Sequence, residues 1–439
     1  MNKTDSVLKS LLVLAFPIII ENLLQSLLAT TDTWFAGRIS DSAIAAISLT
    51  SVVMNIFISF FTAVSVGASV VVSRNYGKKD FQACRSSIVQ AILIAFWIGL
   101  VTGLICLLFQ KPILVAAGAE SSLIETAAPY FLTVSVPSVF LAIQLCLSAC
   151  LRSLKDSKRP MIVTAFSNVL NILLNGVAVS MGLGLAGLGA ATSLSRFFGV
   201  IILLRFLSRH DEGSGLKLSD FHFDYAKAKS ILVVGGPAGA EKLIMRTGQM
   251  LYNGMIISIG MNAYVAHNIA GTIESYAYIP AMGIGLAVTT LVSVFLGEGR
   301  IHQAMQIVKT GYILSALIMS AIGAGFFVFA KPLCLQFTKT SAVADLSAEV
   351  IRLIAFFQPF SALVQIMSSA LQGTGDTSFP MFSTLAGIWG IRTGLGYVFG
   401  VLFHMGLIGV WCAYALDLVL RGLILLVRYR SGRWRSIQI

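Results

Sequence analysis

About twelve stretches of this chain stay apolar for some twenty residues at a time, a pattern whose natural solvent is a bilayer. They fall at residues 8–35, 43–72, 88–109, 124–150, 160–180, 184–207, 231–258, 264–296, 306–329, 346–371, 380–402 and 406–429. A helix rises about 1.5 Å per residue, so about 20 residues cross the roughly 30 Å hydrocarbon layer. Charged residues make up 11% of the 439-residue chain and hydrophobic residues 56%, where a soluble domain averages about 25% charged. The runs are continuous and do not alternate, which excludes a β-barrel. The expected fold class is an all-α polytopic membrane protein with twelve transmembrane helices. Lys3 and Lys9 precede an apolar run far longer than the core of a signal peptide, so a cleaved signal is not expected.

Net charge is +12, and its distribution argues for membrane topology, not for nucleic acid. Arg74, Lys78, Lys79 and Arg85 share one loop region; Arg152, Lys155, Lys158 and Arg159 share another; Arg428, Arg430, Arg433 and Arg435 crowd the tail. Intervening loops hold few cations, such as Arg38, Lys111 and Lys331. This asymmetry puts both termini in the cytoplasm of a multi-pass inner-membrane protein. The lipid bilayer is then the expected partner, the basic tail lying near anionic headgroups. The six cysteines are scattered without zinc spacing and read as small core residues.

A shift of 220 residues superimposes the chain on itself. Pro17 falls on Pro237, Glu21 on Glu241, Gly77 on Gly297, Lys111-Pro112 on Lys331-Pro332, and Asp156 on Asp376. Late in each half the shift drifts by two, matching Gly184 and Gly187 to Gly406 and Gly409. Matches in order at nearly one offset mean duplication. An even number of spans per half makes the repeats parallel. The expectation is a six-helix lobe at 1–207, a cytoplasmic linker at 208–230 and a second six-helix lobe at 231–439, with a cleft between them for alternating access. Glycines such as Gly182, Gly189, Gly394 and Gly400 are expected to serve helix packing first and bending second.

Ionisable groups inside a bilayer cost at least about 2.5–3.5 kcal/mol each on insertion scales, and they usually face a cavity or a partner. The candidates are Glu21, Asp32, Arg196, Glu241, Arg246, Glu274, Arg392 and Asp417. In the first span Glu21, Gln25 and Asp32 form a polar stripe about 16 Å long, suited to a cation or proton path. The bland alternative for Glu21 is a structural ion pair with a nearby Arg or Lys. The seventh span repeats the stripe with Glu241, but Tyr252 stands where Asp32 would recur, so the two lobes are chemically unequal. Arg246 is a candidate partner of Glu274 or of another acid. Asn168, Asn171 and Asn175 share one face of the fifth span; their amides can hold Asp32, ligate sodium, bind substrate, or simply join helices. Asp417 and Arg421, four residues apart, suggest a local ion pair, and Arg392 is expected to answer an acid across the cleft.

Gly373-Thr374-Gly375-Asp376 spells the GxGD of intramembrane aspartyl proteases, but it precedes Pro380 in a short loop and its repeat twin is Leu154-Lys155-Asp156. Both aspartates read as turn and cap residues. No HExxH, GxSxG or phosphate-loop motif is present. An enzyme is not expected, and transport would draw on an ion gradient.

Several of these pieces resemble the multidrug and toxic compound extrusion (MATE) transporters: Pro17 with Thr31-Asp32-Thr33, Asn171-Ile172-Leu173-Leu174-Asn175, Gly184…Gly187…Ala191-Thr192, and Ala370 through Thr377. The resemblance covers essentially the whole chain and is nearer the DinF-like than the NorM-like branch. It implies a secondary active multidrug exporter that moves small amphipathic, often cationic compounds against H+ or Na+. The DinF-like site then maps onto Asp32, Asn171, Asn175 and Thr192, with possible Na+ at Asp32 and no other metal or cofactor. Asn175 stands where that pattern has aspartate. Met245 stands where the NorM-like pattern has its span-seven glutamate. Substrate and cleft candidates are Glu21, Gln25, Asn168, Glu241, Arg246, Tyr252, Glu274 and Arg392. A monomer is expected. The alternative is a flippase for a lipid-linked or amphipathic substrate, against which the twelve spans and the excess of intramembrane acids weigh.

Overall fold

A computed structural model describes residues 3–210, 215–216 and 220–437. Among them the chain is helical throughout, with no strand. The first half contains α1 (Lys3–Gly37), α2 (Asp41–Gly77), α3 (Phe81–Leu108), α4 (Gln110–Ala116), α5 (Ser121–Ser135), α6 (Ser138–Ser153), α7 (Lys158–Ser180) and α8 (Gly184–Ser208). The second contains α9 (Tyr225–Ile259), α10 (Met261–Gly297), α11 (Ile301–Leu335), α12 (Ser341–Ala355), α13 (Gln358–Thr374), α14 (Ser378–Leu385) continued by π-helical turns at Ala386–Leu395 and Val398–Leu402, and α15 (Gly406–Arg430).

Nine described helical segments are long and apolar enough to cross a bilayer, and two bent pairs bring the number to eleven. α9 fills the remaining place in the expected twelve; it carries Lys227, Lys229, Glu241, Lys242 and Arg246, which dilute its apolarity. The fourth and tenth spans, expected as single helices at 124–150 and 346–371, are broken. α5 meets α6 at 44° and α12 meets α13 at 59°. Pro137 lies at the first break and Pro359 opens the helix after the second; each ring removes a backbone donor and obstructs continuation of the preceding turn. The duplication persists in backbone detail: Gly184 and Gly406, twins in the repeat, both take φ +59 at the start of their helices, a conformation open to glycine because it lacks Cβ.

The described chain divides into two compact units, but not at the linker. One unit is Ile20–Gly239; the other joins the chain up to Ile19 to the chain from Ala240 onward. Each half therefore lends the first part of its long opening helix to the other unit. The boundaries expected at 207 and 231 miss this exchange, because a lobe read from the repeat keeps every residue of a helix together. α9 also begins at Tyr225, inside the segment expected as linker, with Asp224 accepting the backbone N–H groups of Ala226 and Lys227 at 3.0 and 3.2 Å. Residues 211–214 and 217–219 of that segment lie outside the described residues.

Packing explains the exchange. Leu11, Leu14 and Ile18 of α1 are buried in one core with Ile284, Leu291 and Met367. In the other unit, α9 meets α2 through glycine: a Cβ on Gly235 would overlap the Ala63 carbonyl oxygen, and one on Gly67 would overlap that of Ile231. Small residues permit such close approach where lipid gives helices no hydrophobic drive to associate. Both crossovers, Ile19 to Ile20 and Gly239 to Ala240, lie two residues past a helix proline, Pro17 or Pro237.

Candidate functional site

Asp32 is 5% exposed and sits among α1, α5, α7 and α8. Its Oδ1 accepts from Asn175 Nδ2 at 2.8 Å. Its Oδ2 accepts from Thr192 Oγ1 at 2.9 Å and from the Tyr130 hydroxyl at 3.4 Å. Asn171 braces the group: its Nδ2 donates to Thr192 Oγ1 at 3.1 Å, and its Oδ1 accepts from Asn175 Nδ2 at 3.0 Å. Asn171 and Asn175 stand one helical turn apart on α7, so both point at α1. The four residues that the sequence singles out are thus in one cluster, and every direct partner of the carboxylate is neutral. Asn175 Oδ1 is buried with no hydrogen-bond partner.

Tyr130 is the member of this cluster that sequence reading misses. It lies in an otherwise apolar stretch of α5, and no local spacing ties it to residues about a hundred positions away. Asn168 shares the α7 face but does not reach Asp32; its Nδ2 donates to the Leu24 carbonyl at 2.6 Å, which ties α7 to α1. Asp32, Gln25, Asn168 and Arg196 all line a cavity of about 330 Å3 within this unit.

Glu21 is a different structure. It is 1% exposed, and Arg152 Nη1 bridges its two carboxylate oxygens at 2.9 and 3.1 Å. Arg152 counts in the sequence as one of a basic loop cluster; in the fold it ends α6 and turns inward. The repeat twin, Glu241, accepts from Gln372 Nε2 at 3.0 Å, from Thr384 Oγ1 at 3.0 Å and from Ser368 Oγ at 3.4 Å. Arg152 and Gln372 are themselves 220 residues apart. Duplication has kept one acid clamp in both halves and changed its partner from a cation to a neutral amide.

The remaining candidates gather in the other unit. Arg392 donates to Asp417 Oδ2 from Nε at 3.1 Å and Nη2 at 2.8 Å, and Arg421 Nη2 reaches the same oxygen at 3.0 Å. The local Asp417–Arg421 pair is present; the acid expected for Arg392 across a cleft is instead Asp417, within the same unit. Arg392 lies in the π-helical turns at Ala386–Leu395, whose residue spacing no α-helical periodicity rule anticipates. A Cβ on Gly387 would overlap Asp417 Oδ1. Glu274 Oε1 accepts from the Tyr414 hydroxyl at 2.8 Å, whereas Arg246 donates to Gln249 Oε1 at 3.4 Å, so the suggested Arg246–Glu274 pair is not the arrangement found. Tyr252 donates to the Val410 carbonyl at 3.2 Å. The GxGD segment is a turn: Gly375 ends α13 at φ 93, and Asp376 accepts from Arg428 Nε at 2.8 Å. Its twin Asp156 accepts the Arg159 backbone N–H at 3.1 Å, at the start of α7.

The MatE family model matches the chain twice, at residues 17–177 and 237–398. The chain belongs to the MatE family. The double match repeats the offset of 220 seen in the bare sequence. Membership makes the chain a multi-pass membrane transporter of this family, all-α, with the twelve-helix fold. Over 434 residues it is 31% identical to a probable multidrug resistance protein NorM of Thermotoga maritima, covering 98% of this chain and 93% of that one. It is 25% identical to an uncharacterized transporter, YisQ, of Bacillus subtilis, over 97% and 94% of the two chains. Two solved structures share the fold: a MATE in the bent conformation (TM-score 0.92, 21% identity, 99% of each chain) and an outward-facing multidrug resistance MATE family transporter of the MOP superfamily (TM-score 0.91, 21% identity, 100% of each chain).

Proposed function

We propose that this MatE protein is a secondary active multidrug exporter of the cell's inner membrane, with both termini cytoplasmic, working as a monomer. It exchanges small amphipathic compounds for H+ or Na+ by alternating access. The observation that carries the reading is the Asp32 cluster: one buried carboxylate, held by neutral donors alone, on the wall of a cavity. A single carboxylate whose hydrogen-bond partners are all neutral suits one monovalent cation or one proton. The orphan Asn175 Oδ1 is a further oxygen that can turn to a cation arriving there. A cationic substrate group and the coupling ion compete for the same carboxylate, and that competition is what exchange requires.

In this reading Asn175 does the work of a second acid by polarity alone, which places the coupling site in the manner of the DinF-like branch. Asp32→Asn in proteoliposomes, with pH and sodium gradients imposed separately and a panel of dye cations, is the test. Abolished gradient-driven efflux with normal protein levels is expected. Wild-type rates from the variant would refute the assignment of Asp32.

A further inference from the structure

The cavity beside Asp32 holds a second charge that the reading above does not use. Arg196 lines it, one turn along α8 from Thr192, the residue that donates to Asp32. Other arginines of the spans are committed: Arg152 to Glu21, and Arg392 and Arg421 to Asp417. Arg196 makes no hydrogen bond, ion-pair contact or ring contact with any described residue; its charge acts on Asp32 and Tyr130 only at a distance, and its guanidinium is not among the sealed-off polar atoms. A guanidinium offers five N–H donors in a planar fork that matches an oxyanion. Leaving those donors unmet inside a membrane is costly unless something else meets them.

Among the described residues of this wall, Asp32 and Arg196 alone have ordinarily charged side chains, so the cavity carries one charge of each sign. The axial step from Thr192 to Arg196 is about 6 Å. The rest of the wall is mixed: Leu28, Ile47, Met54 and Leu145 give it apolar surface, and neutral polar groups such as Gln25, Gln144 and Tyr130 share it. A volume of about 330 Å3 is at the small end for a ligand pocket. A plain organic cation would satisfy Asp32 and leave Arg196 facing it. A plain anion would bind better once the coupling ion had neutralised Asp32, which favours cotransport over exchange. A molecule with both charges escapes both problems: its cationic end competes with the coupling ion at Asp32, and its anionic end rests on Arg196.

We propose that Arg196 is the specificity residue of this cavity, selecting amphipathic zwitterions by binding their carboxylate while the cationic group faces Asp32. This rests on the exporter reading for its coupling but not for its binding, and the two separate in the test. Three probes share one naphthyl group: a naphthyl-bearing γ-amino acid, its methyl ester, which is a plain cation, and its N-acetyl form, which is a plain anion. Their affinities for the purified full-length protein are measured without any gradient. The zwitterion is expected to bind about tenfold or more tighter than the ester. Arg196→Gln should erase the gap between zwitterion and ester, weakening the zwitterion and leaving the ester at least as tightly bound as before; Arg196→Lys should keep part of the preference.

An ester that binds wild-type protein as tightly as the zwitterion overturns the proposal. So does a preference that survives Arg196→Gln. Should Arg196→Gln fail to fold, the wild-type ranking and Arg196→Lys still decide. If the ranking holds but efflux ignores both gradients, the coupling reading falls and the pocket assignment stands. If efflux is gradient-driven but the ranking fails, the reverse is true.

Discussion

Replacing Arg152 by alanine strips from Glu21 the one cation paired with it among the described residues. The carboxylate is 1% exposed and Arg152 13% exposed, and one nitrogen bridges both oxygens at 2.9 and 3.1 Å. Removing one partner of a buried pair typically costs about 3–5 kcal/mol, because the other charge is left without compensation. The repeat supplies an internal control. Glu241 is held by Gln372, Ser368 and Thr384, and the first unit keeps Ser148 and Thr164 at the twin positions. Arg152→Gln should therefore cost less, about 1–3 kcal/mol, and the double change Glu21→Gln with Arg152→Gln should be close to neutral. Reversible unfolding in mixed micelles, titrated with SDS, measures all three. If Arg152→Ala costs under about 1 kcal/mol, the clamp is not the buried pair described. If the double variant is as unstable as Arg152→Ala, charge compensation is not what Arg152 supplies.

Two further outcomes follow from the geometry. Tyr130→Phe removes the longest hydrogen bond to Asp32, 3.4 Å, and should slow gradient-driven efflux severalfold, in line with about 1 kcal/mol for a hydrogen bond; unchanged transport would place Tyr130 outside the site. Gly387→Ala forces a methyl group onto Asp417 Oδ1 and should destabilise the fold by about 1–3 kcal/mol, read in the same SDS titration, while Gly390→Ala, with no neighbour within 4 Å of its Cβ, should be nearly silent.

Membrane residence and the duplication were legible from residue order because each is a local or periodic property; that Asn175 and Thr192 meet Asp32, 143 and 160 positions away, was implied only by the family resemblance. Apolar runs state the solvent. An offset of 220 states the repeat. Asn171 and Asn175 share a face because a helix returns every 3.6 residues. Tyr130 and Arg152 were not legible as partners, since their contacts join helices that the chain connects only through long excursions.

Tertiary structure decided three things. It moved the unit boundaries to Ile19 and Gly239, because burial follows packing partners and not helix membership. It gave Arg392, which lies in π-helical turns that no side-chain period encodes, to Asp417. It left Arg196 facing a cavity with Asp32 in electrostatic reach but in no direct contact, because whether a buried charge is paired depends on what stands opposite it. The sequence by itself determined which charges enter the membrane; packing alone determined which of them are spoken for.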